Sequence, residues 1–288
     1  MSDPIKHHYV PQFYLRQWAD ARGKLVRYYR PHKAVVATRT APKSTGYEEG
    51  LYSLEGASPG RRNAIEKDFM APKVDEPAAL AMQALIAMDP SKLTDDLRIA
   101  WTRFLMSLHV RNPERVEQIR EMAADGLRKS LRADPEDYEK LRKPGDPPTL
   151  LEWAERNTPA IFDNQGMRML PGVIEHRPPV EAIIQMRWMT VGTADEFPDL
   201  LTSDRPVYMS HGVNDDRCFI VVPMSPRFMF FATRDPSMFD RVLALGIESV
   251  TKQVNGFMAT GGVQNVYGAS DRHLRFVENR LRPKSAAT

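Results

Sequence analysis

The spacing of apolar and polar residues changes twice along the chain. KLVRYYR (24–30) and AVVATRT (34–40) are rich in β-branched and aromatic residues and flank Pro31, His32 and Lys33, which predicts a β-hairpin. GLYSLEG (50–56) predicts one more short extended piece. From there the apolar period is helical. RRNAIEKDFM (61–70) predicts a helix broken by Pro72, and VDEPAALAMQALIAM (74–88) a second, closed by Asp89-Pro90. Asp75 and Glu76 precede Pro77 in the first turn of that helix, where negative charge is favoured. Thr94 followed by Asp95 and Asp96 starts a helix whose Leu97, Trp101, Leu105 and Leu108 share one face, and Asn112-Pro113 stops or kinks it. PERVEQIREMAADGLRKSLRADPEDYEKLRK (113–143) reads as a charged helix with a solvated face. PGDPP (144–148) is the best linker candidate, with another helix from near Thr149.

After Pro178-Pro179 the period becomes that of strands: EAIIQMRWMTVG (181–192), DLLTSD (199–204), PVYMS (206–210), CFIVVPMS (218–225) and RFMFFAT (227–233). Their connections are too short for helical crossovers, so antiparallel pairing is expected. Asp235-Pro236 opens a helix toward Met258, and ASDRHLRFVENRLR (269–282) is a short terminal helix. The expected fold is α+β: an N-terminal β-hairpin, a helical middle, and an antiparallel C-terminal sheet backed by helices. The expected organisation is a single composite domain over 1–288, with an N-terminal block and hairpin (1–60), a helical region (61–177), and a sheet with C-terminal helices (178–288). The N-terminal block is expected to dock on the sheet.

Composition narrows the setting. A chain of 288 residues with 42% hydrophobic content can bury a core. Its single cysteine, Cys218, excludes an intramolecular disulfide and a thiolate-rich zinc site, and fits a small buried residue better than a nucleophile. No secretory signal or apolar stretch near the ~20 residues of a membrane span is seen, so a cytoplasmic protein without a membrane partner is expected. The net charge of +3 hides an asymmetry. Lys6, Arg16, Arg22, Lys24, Arg27, Arg30, Lys33, Arg39 and Lys43 face only Asp3 and Asp20 in the first 45 residues, a local +7 against −4 for the rest. Such a cluster either attracts an anionic partner, nucleic acid included, or is an ordinary solvated face.

Several chemistries are disfavoured. The chain has no Gly-x-Gly-x-x-Gly, no Gly-Lys-Ser/Thr phosphate loop, no His-Glu-x-x-His and no Gly-x-Ser-x-Gly. What stands out is HHYVPQFYLRQW (7–18). His8 could transfer a proton or ligate a metal, with Tyr9 donating to a developing charge, or His8 could bond a backbone carbonyl while Tyr9, Phe13, Tyr14 and Trp18 plug the core. Asp204 in LTSDRP either serves chemistry or caps a turn. Arg111 either clamps a phosphate or carboxylate or joins an internal ion pair. Arg103-x5-His109 has the spacing of metal-independent HEPN-type ribonucleases, and equally of a plain helix with core residues between.

The block His8-Tyr9-Val10-Pro11-Gln12-Phe13-Tyr14-Leu15 resembles the signature of a widespread bacterial family of unknown function, whose members open with His-Tyr-Val-Pro-Gln and a nearby Tyr-Leu. Further blocks follow in order. Tyr52-Ser53 resembles the family's Tyr-Ser element, and Glu66 and Glu76 fall at its two helical glutamates. Arg111-Asn112-Pro113 is similar to its Arg-x-Pro, Thr202-Ser203-Asp204-Arg205-Pro206-Val207 to its Thr-Ser-Asp-x-Pro-Val, and Pro223-Met224-Ser225-Pro226 to its Pro-x-Ser-Pro. Arg205 stands where asparagine is expected. The resemblance spans nearly the whole chain and implies a shared domain, with no activity attached.

Two function classes fit. One is a phosphodiester-directed hydrolase, such as a nuclease of a bacterial conflict or stress system. His8 and Asp204 would be its catalytic groups, Tyr9, Gln12 and Arg111 its substrate contacts, and Glu66 and Glu76 the ligands of a divalent metal such as Mg²⁺. The alternative is a non-catalytic protein that binds an anionic ligand, nucleic acid or protein partner through the same residues. A concave site with unpaired carboxylates would favour the first, and internal salt bridges the second.

Overall fold

The computed structural model describes residues 5–133 and 135–283, so Asp3 and Asp134 of the readings above lie outside the described residues. About 51% of the chain is helix and 15% strand, with antiparallel sheets, which makes the fold α+β as the sequence predicts. No helix among the described residues is long and apolar enough to cross a membrane.

Strand β1 (Lys6–His8) runs through Val10 and Pro11 into one helical turn, α1 (Gln12–Leu15), and a 3-10 turn, Arg16–Trp18. The predicted hairpin follows as β2 (Leu25–Tyr29) and β3 (Val36–Thr40), with Leu25 opposite Thr40 and Tyr29 opposite Val36. β4 (Tyr47–Glu49) pairs with β1 in a two-stranded sheet, and α2 (Pro59–Arg62) comes next. Pro72 does not break the chain there. Ile65–Asp75 winds as a wide π-type helix that carries Pro72 inside it and leads straight into α3 (Glu76–Ile86). A proline ring collides with the carbonyl four residues back in an α-helix, and the wider winding makes room for it.

Helices α4 (Asp95–Val110), α5 (Pro113–Ala133), α6 (Pro135–Leu141), α7 (Leu150–Asn157), α8 (Ala160–Ile174) and α9 (Arg177–Ile184) follow. Thr94 caps α4 by accepting from the Leu97 N–H, and Thr149 caps α7 from Glu152, as their positions predict. Residues 181–184 are helix rather than strand, because Pro178 and Pro179 occupy the first turn of α9, where a missing N–H costs nothing. The strand starts later, as β5 (Arg187–Gly192). β6 (Thr202–Ser203), β7 (Tyr208–Met209), β8 (Phe219–Pro223) and β9 (Phe228–Thr233) complete this stretch. The helix expected toward Met258 is two helices, α10 (Ser237–Ala244) and α11 (Ile247–Gly261), separated by Gly246 at φ 76°, a conformation glycine adopts without strain. β10 (Asn265–Gly268) and α12 (Leu274–Glu278) close the described chain.

The chain forms two compact units. One takes the chain up to His7, Glu48–Pro72 and Pro113–Glu175; the other takes His8–Tyr47, Lys73–Asn112 and the chain from His176 onward. In the first, α5 crosses α8 closely. A Cβ on Gly166 would lie 2.6 Å from the Arg120 Cα, so only glycine fits the crossing. Ala124, Leu151, Ala154 and Phe162 make a small core. The Asn164 amide clamps Glu55, accepting from its N–H (2.7 Å) and donating to its carbonyl (2.9 Å). The Pro-rich segment 144–148 is a connection from α6 to α7 inside this unit.

The second unit holds two four-stranded sheets, ordered β3-β2-β10-β6 and β5-β9-β8-β7. The C-terminal strands are therefore divided. β6, expected within one C-terminal sheet, instead lies beside β10, which pairs along its other margin with the N-terminal hairpin (Val266 opposite Tyr28 and opposite Ser203). Just before β6 two successive residues part, Leu201 entering one core with Tyr28, Met258 and Val266, and Leu200 another with Val221, Phe231 and Val254. Helix α11 supplies residues to both cores, and its Asn255 bonds the Leu201 N–H (2.7 Å) and the Asp199 carbonyl (2.9 Å).

Candidate functional site

The aromatics of the opening block are core. Tyr14, Leu15 and Trp18 are buried, and Tyr14 packs on Trp18 (5.2 Å) and Phe104 (6.1 Å). Their polar ends reach the later blocks. The Tyr14 hydroxyl bonds Thr202 Oγ1 (2.8 Å) and donates to the Pro223 carbonyl, and Trp18 Nε1 donates to the Leu200 carbonyl (2.8 Å). Burial pushes the Tyr14 hydroxyl far up, so it stays a neutral donor. The N-terminal block is thus joined to the later strands by one side-chain-to-side-chain bond and two side-chain bonds to backbone carbonyls. Successive residues of β1 point opposite ways. His8 is half-buried, 5.5 Å from the Tyr47 ring, while His7 is fully buried in the other unit, stacked on Tyr52 at 5.3 Å and accepting from the Tyr52 N–H. His7 went unnoticed in the sequence because nothing local distinguishes the two. Tyr9 is buried, and Gln12 begins α1 half-buried.

Asp204 is a backbone clamp. Its Oδ1 accepts from the N–H of Val263 (2.8 Å) and its Oδ2 from Gln264 (2.7 Å) and Asn265 (2.8 Å), while its own N–H donates to the Asn265 carbonyl (3.0 Å). Burial raises its pKa, and the three N–H groups and Arg205 oppose the rise. This is the capping alternative on a larger scale, since the capped segment lies about sixty residues away in sequence. Nearby, the buried Tyr267 hydroxyl bonds Thr45 Oγ1 (3.0 Å), and its pKa is raised first by burial, then by Tyr9 and Asp204. The opening block and the Thr-Ser-Asp turn both act on this hydroxyl.

What the clamp positions is a cleft of about 160 Å³ lined by Arg27, Tyr29, Arg30, Val263, Gln264 and Arg282, with no carboxylate on its wall. Asn265 Oδ1 accepts from Arg27 Nε (2.6 Å), and the Arg27 guanidinium lies 4.2 Å over the Tyr29 ring. Arg30 Nη2 donates to the carbonyls of Glu278 (2.8 Å) and Leu281 (3.1 Å), which ties α12 and the chain leading to Arg282 against the hairpin. Arg27 and Arg30 belong to the basic cluster noticed in the sequence. Gln264, Asn265 and Arg282 were missed, because the β2–β10 pairing brings the first two there and the Arg30 bonds to Glu278 and Leu281 bring the third. Elsewhere in the cluster, Arg39 pairs with Asp20 (2.5 Å).

The remaining candidates are not among the residues that line this cleft. Arg111 is fully buried with Nη1 2.9 Å from Asp75 Oδ1, and the Asp75 carboxyl is raised by burial against the pull of Arg111. Glu76 is exposed in the first turn of α3, and Glu66 lies half-buried in the π-type winding of the first unit. Among the described residues no group of three or more His, Cys, Asp or Glu could hold a metal ion. Arg103 donates to the Lys73 carbonyl (3.2 Å), and His109 is exposed six residues on, which at 3.6 residues per turn is not the same face. Cys218 is buried, donates to the His211 carbonyl (3.3 Å), and has its thiol pKa raised by burial.

The chain belongs to the family described as Protein of unknown function (DUF4238), whose profile matches residues 6–272. No curated protein and no solved structure matches it.

Proposed function

We propose that this family member is a binding protein that seats an oxyanionic group, such as a phosphate of a nucleotide or nucleic acid, in the arginine cleft. The observation that carries the reading is the set of Arg27, Arg30 and Arg282 around one concavity without a carboxylate. Guanidinium groups match phosphate and carboxylate geometry, and a donor already oriented by neutral neighbours loses little freedom on binding. Arg27 has that preparation from Asn265 and Tyr29. The exposed Arg16, Arg22, Lys24 and Lys33 of the same unit add longer-range attraction for a polyanion.

The hydrolase reading ranks second. Its proposed carboxylate, Asp204, and its proposed phosphate clamp, Arg111, are each engaged by an internal partner. The test is fluorescence anisotropy with a labelled oligonucleotide carrying or lacking a 5′-phosphate, over a salt series. Wild type should bind with an affinity that falls as salt rises, and Arg27→Gln with Arg282→Gln should weaken binding at least about tenfold, given ~1.5–3 kcal/mol per hydrogen bond to a charged group. Unchanged binding by the folded double variant sinks the proposal. Cleavage of the oligonucleotide by wild type, lost in His8→Ala, would restore the hydrolase.

A further inference from the structure

A second concavity, about 290 Å³, lies in the same unit between the end of α3, the start of α4 and β5. Its wall combines apolar side chains, Leu85, Met88, Leu93, Trp188 and Met189, with the polar Asp89, Arg98 and Thr190. The volume is near the lower end of the ~300–1,000 Å³ common for small-molecule sites. Trp188 is held rigidly. Its Nε1 donates to the Ile183 carbonyl (3.0 Å), its ring meets Phe230 edge-on (5.1 Å, 85°), and Arg98 lies 3.9 Å over its face. Arg98 gives one hydrogen bond, from Nη2 to the Ile184 carbonyl (2.9 Å), and joins no ion pair among the described residues. A half-buried guanidinium beside an aromatic face, with donors to spare and the Asp95 carboxylate of its own helix acting on it without an ion-pair contact, suits an anion with a hydrocarbon body. The one carboxylate on the wall, Asp89, is engaged by Ser91 (N–H 3.1 Å, Oγ 2.7 Å) and Lys92 (3.7 Å).

Backbone strain marks the same wall. Met88 is the one non-glycine residue with positive φ (51°) among the described residues, just past the end of α3, where glycine is the unstrained choice. A methionine held there, 57% exposed at the cleft, carries a backbone cost that glycine would not. Methionine is also the side chain that adapts best to irregular apolar ligands, and Met189 faces the same space.

We propose that this cleft binds a small apolar carboxylate, its hydrocarbon part against Trp188, Met88 and Met189 and its carboxylate on Arg98. A short aliphatic acid and a peptide C-terminus ending in a large apolar residue share this chemistry. The full chain, labelled with 13C at methionine methyls, is titrated with octanoate, octanamide, N-acetyl-Ala-Leu and its C-terminal amide. The Met88 and Met189 methyl signals, assigned by substitution, should shift saturably with at least one acid, and each amide should bind at least tenfold more weakly. Whichever acid binds more tightly identifies the source. Met88→Gly should raise Tm by about 2 °C, by relief of the positive φ, while weakening acid binding about threefold or more. Equal affinity for acid and amide, shifts confined to other methionines, or no shift at millimolar ligand would each overturn the proposal, and these readings need only the wild type.

Discussion

Arg111 and Arg27 are both arginines that the chain draws inward, and they end in opposite circumstances. Arg111 is fully buried beneath a carboxylate, Asp75, at 2.9 Å. Arg27 is half-buried and held by neutral groups, an amide oxygen and a phenol ring, so its charge is positioned without being neutralised. A guanidinium paired inside the protein is part of the structure, and one oriented by neutral partners keeps its field for something outside. That difference, more than the number of basic residues in either stretch, is why the proposed anion site is sought at the hairpin and not at the end of α4.

The comparison breaks first at Asp75. Asp75→Ala would take away a carboxylate that pairs with a buried guanidinium, a change that costs about 3–5 kcal/mol. Urea unfolding should register that loss, while oligonucleotide affinity of the remaining folded protein stays within about twofold of wild type. Fully retained stability would mean that Arg111 is held by other groups and that the contrast with Arg27 is wrong.

The clamp comes next in size. Asp204→Asn replaces one acceptor oxygen by an amide NH₂ facing the backbone N–H donors of Val263, Gln264 or Asn265. About 2–3 kcal/mol of stability should go, from at least one buried donor left without an acceptor. Because Val263 and Gln264 line the arginine cleft, oligonucleotide affinity should also fall, unlike in Asp75→Ala. A variant that loses stability while binding normally would separate the clamp from the cleft.

Features made by neighbours in sequence could be read from sequence: the Thr94 and Thr149 caps, the β2–β3 hairpin, and the stop at Asn112-Pro113. The two specific motif blocks were also visible as blocks. Their partners were not. Tyr14 reaches Thr202 and Pro223, and Asp204 reaches Val263–Asn265, and no local pattern encodes a bond across that separation. Local rules failed where a second rule outweighed them. Pro72 breaks an α-helix but not a wider one, and Pro178-Pro179 starts a helix where it was expected to introduce strands. The candidate site fared similarly. The basic cluster pointed to Arg27 and Arg30, whereas Gln264 needed the pairing of β10 with β2 and Arg282 the bonds from Arg30 to the chain before it.

The smallest effect is expected at Arg39, and it sharpens the contrast from the other side. Arg39 pairs with Asp20 at 2.5 Å, yet its side chain is 62% exposed. Water and salt screen such a pair, whose typical worth is 0–1 kcal/mol. Asp20 also accepts from the N–H groups of Arg22 and Lys24, and these bonds hold its carboxyl below the usual range before Arg39 adds its part. The loop therefore keeps its shape without the arginine. Arg39→Gln should leave the urea midpoint close to that of wild type and 5′-phosphate discrimination intact. Arg27→Gln should also unfold near wild type, since its partners Asn265 and Tyr29 are neutral, yet lose that discrimination. If the two variants proved indistinguishable in phosphate binding, charge count rather than orientation would govern the site, and the distinction drawn from Arg111 and Arg27 would no longer hold.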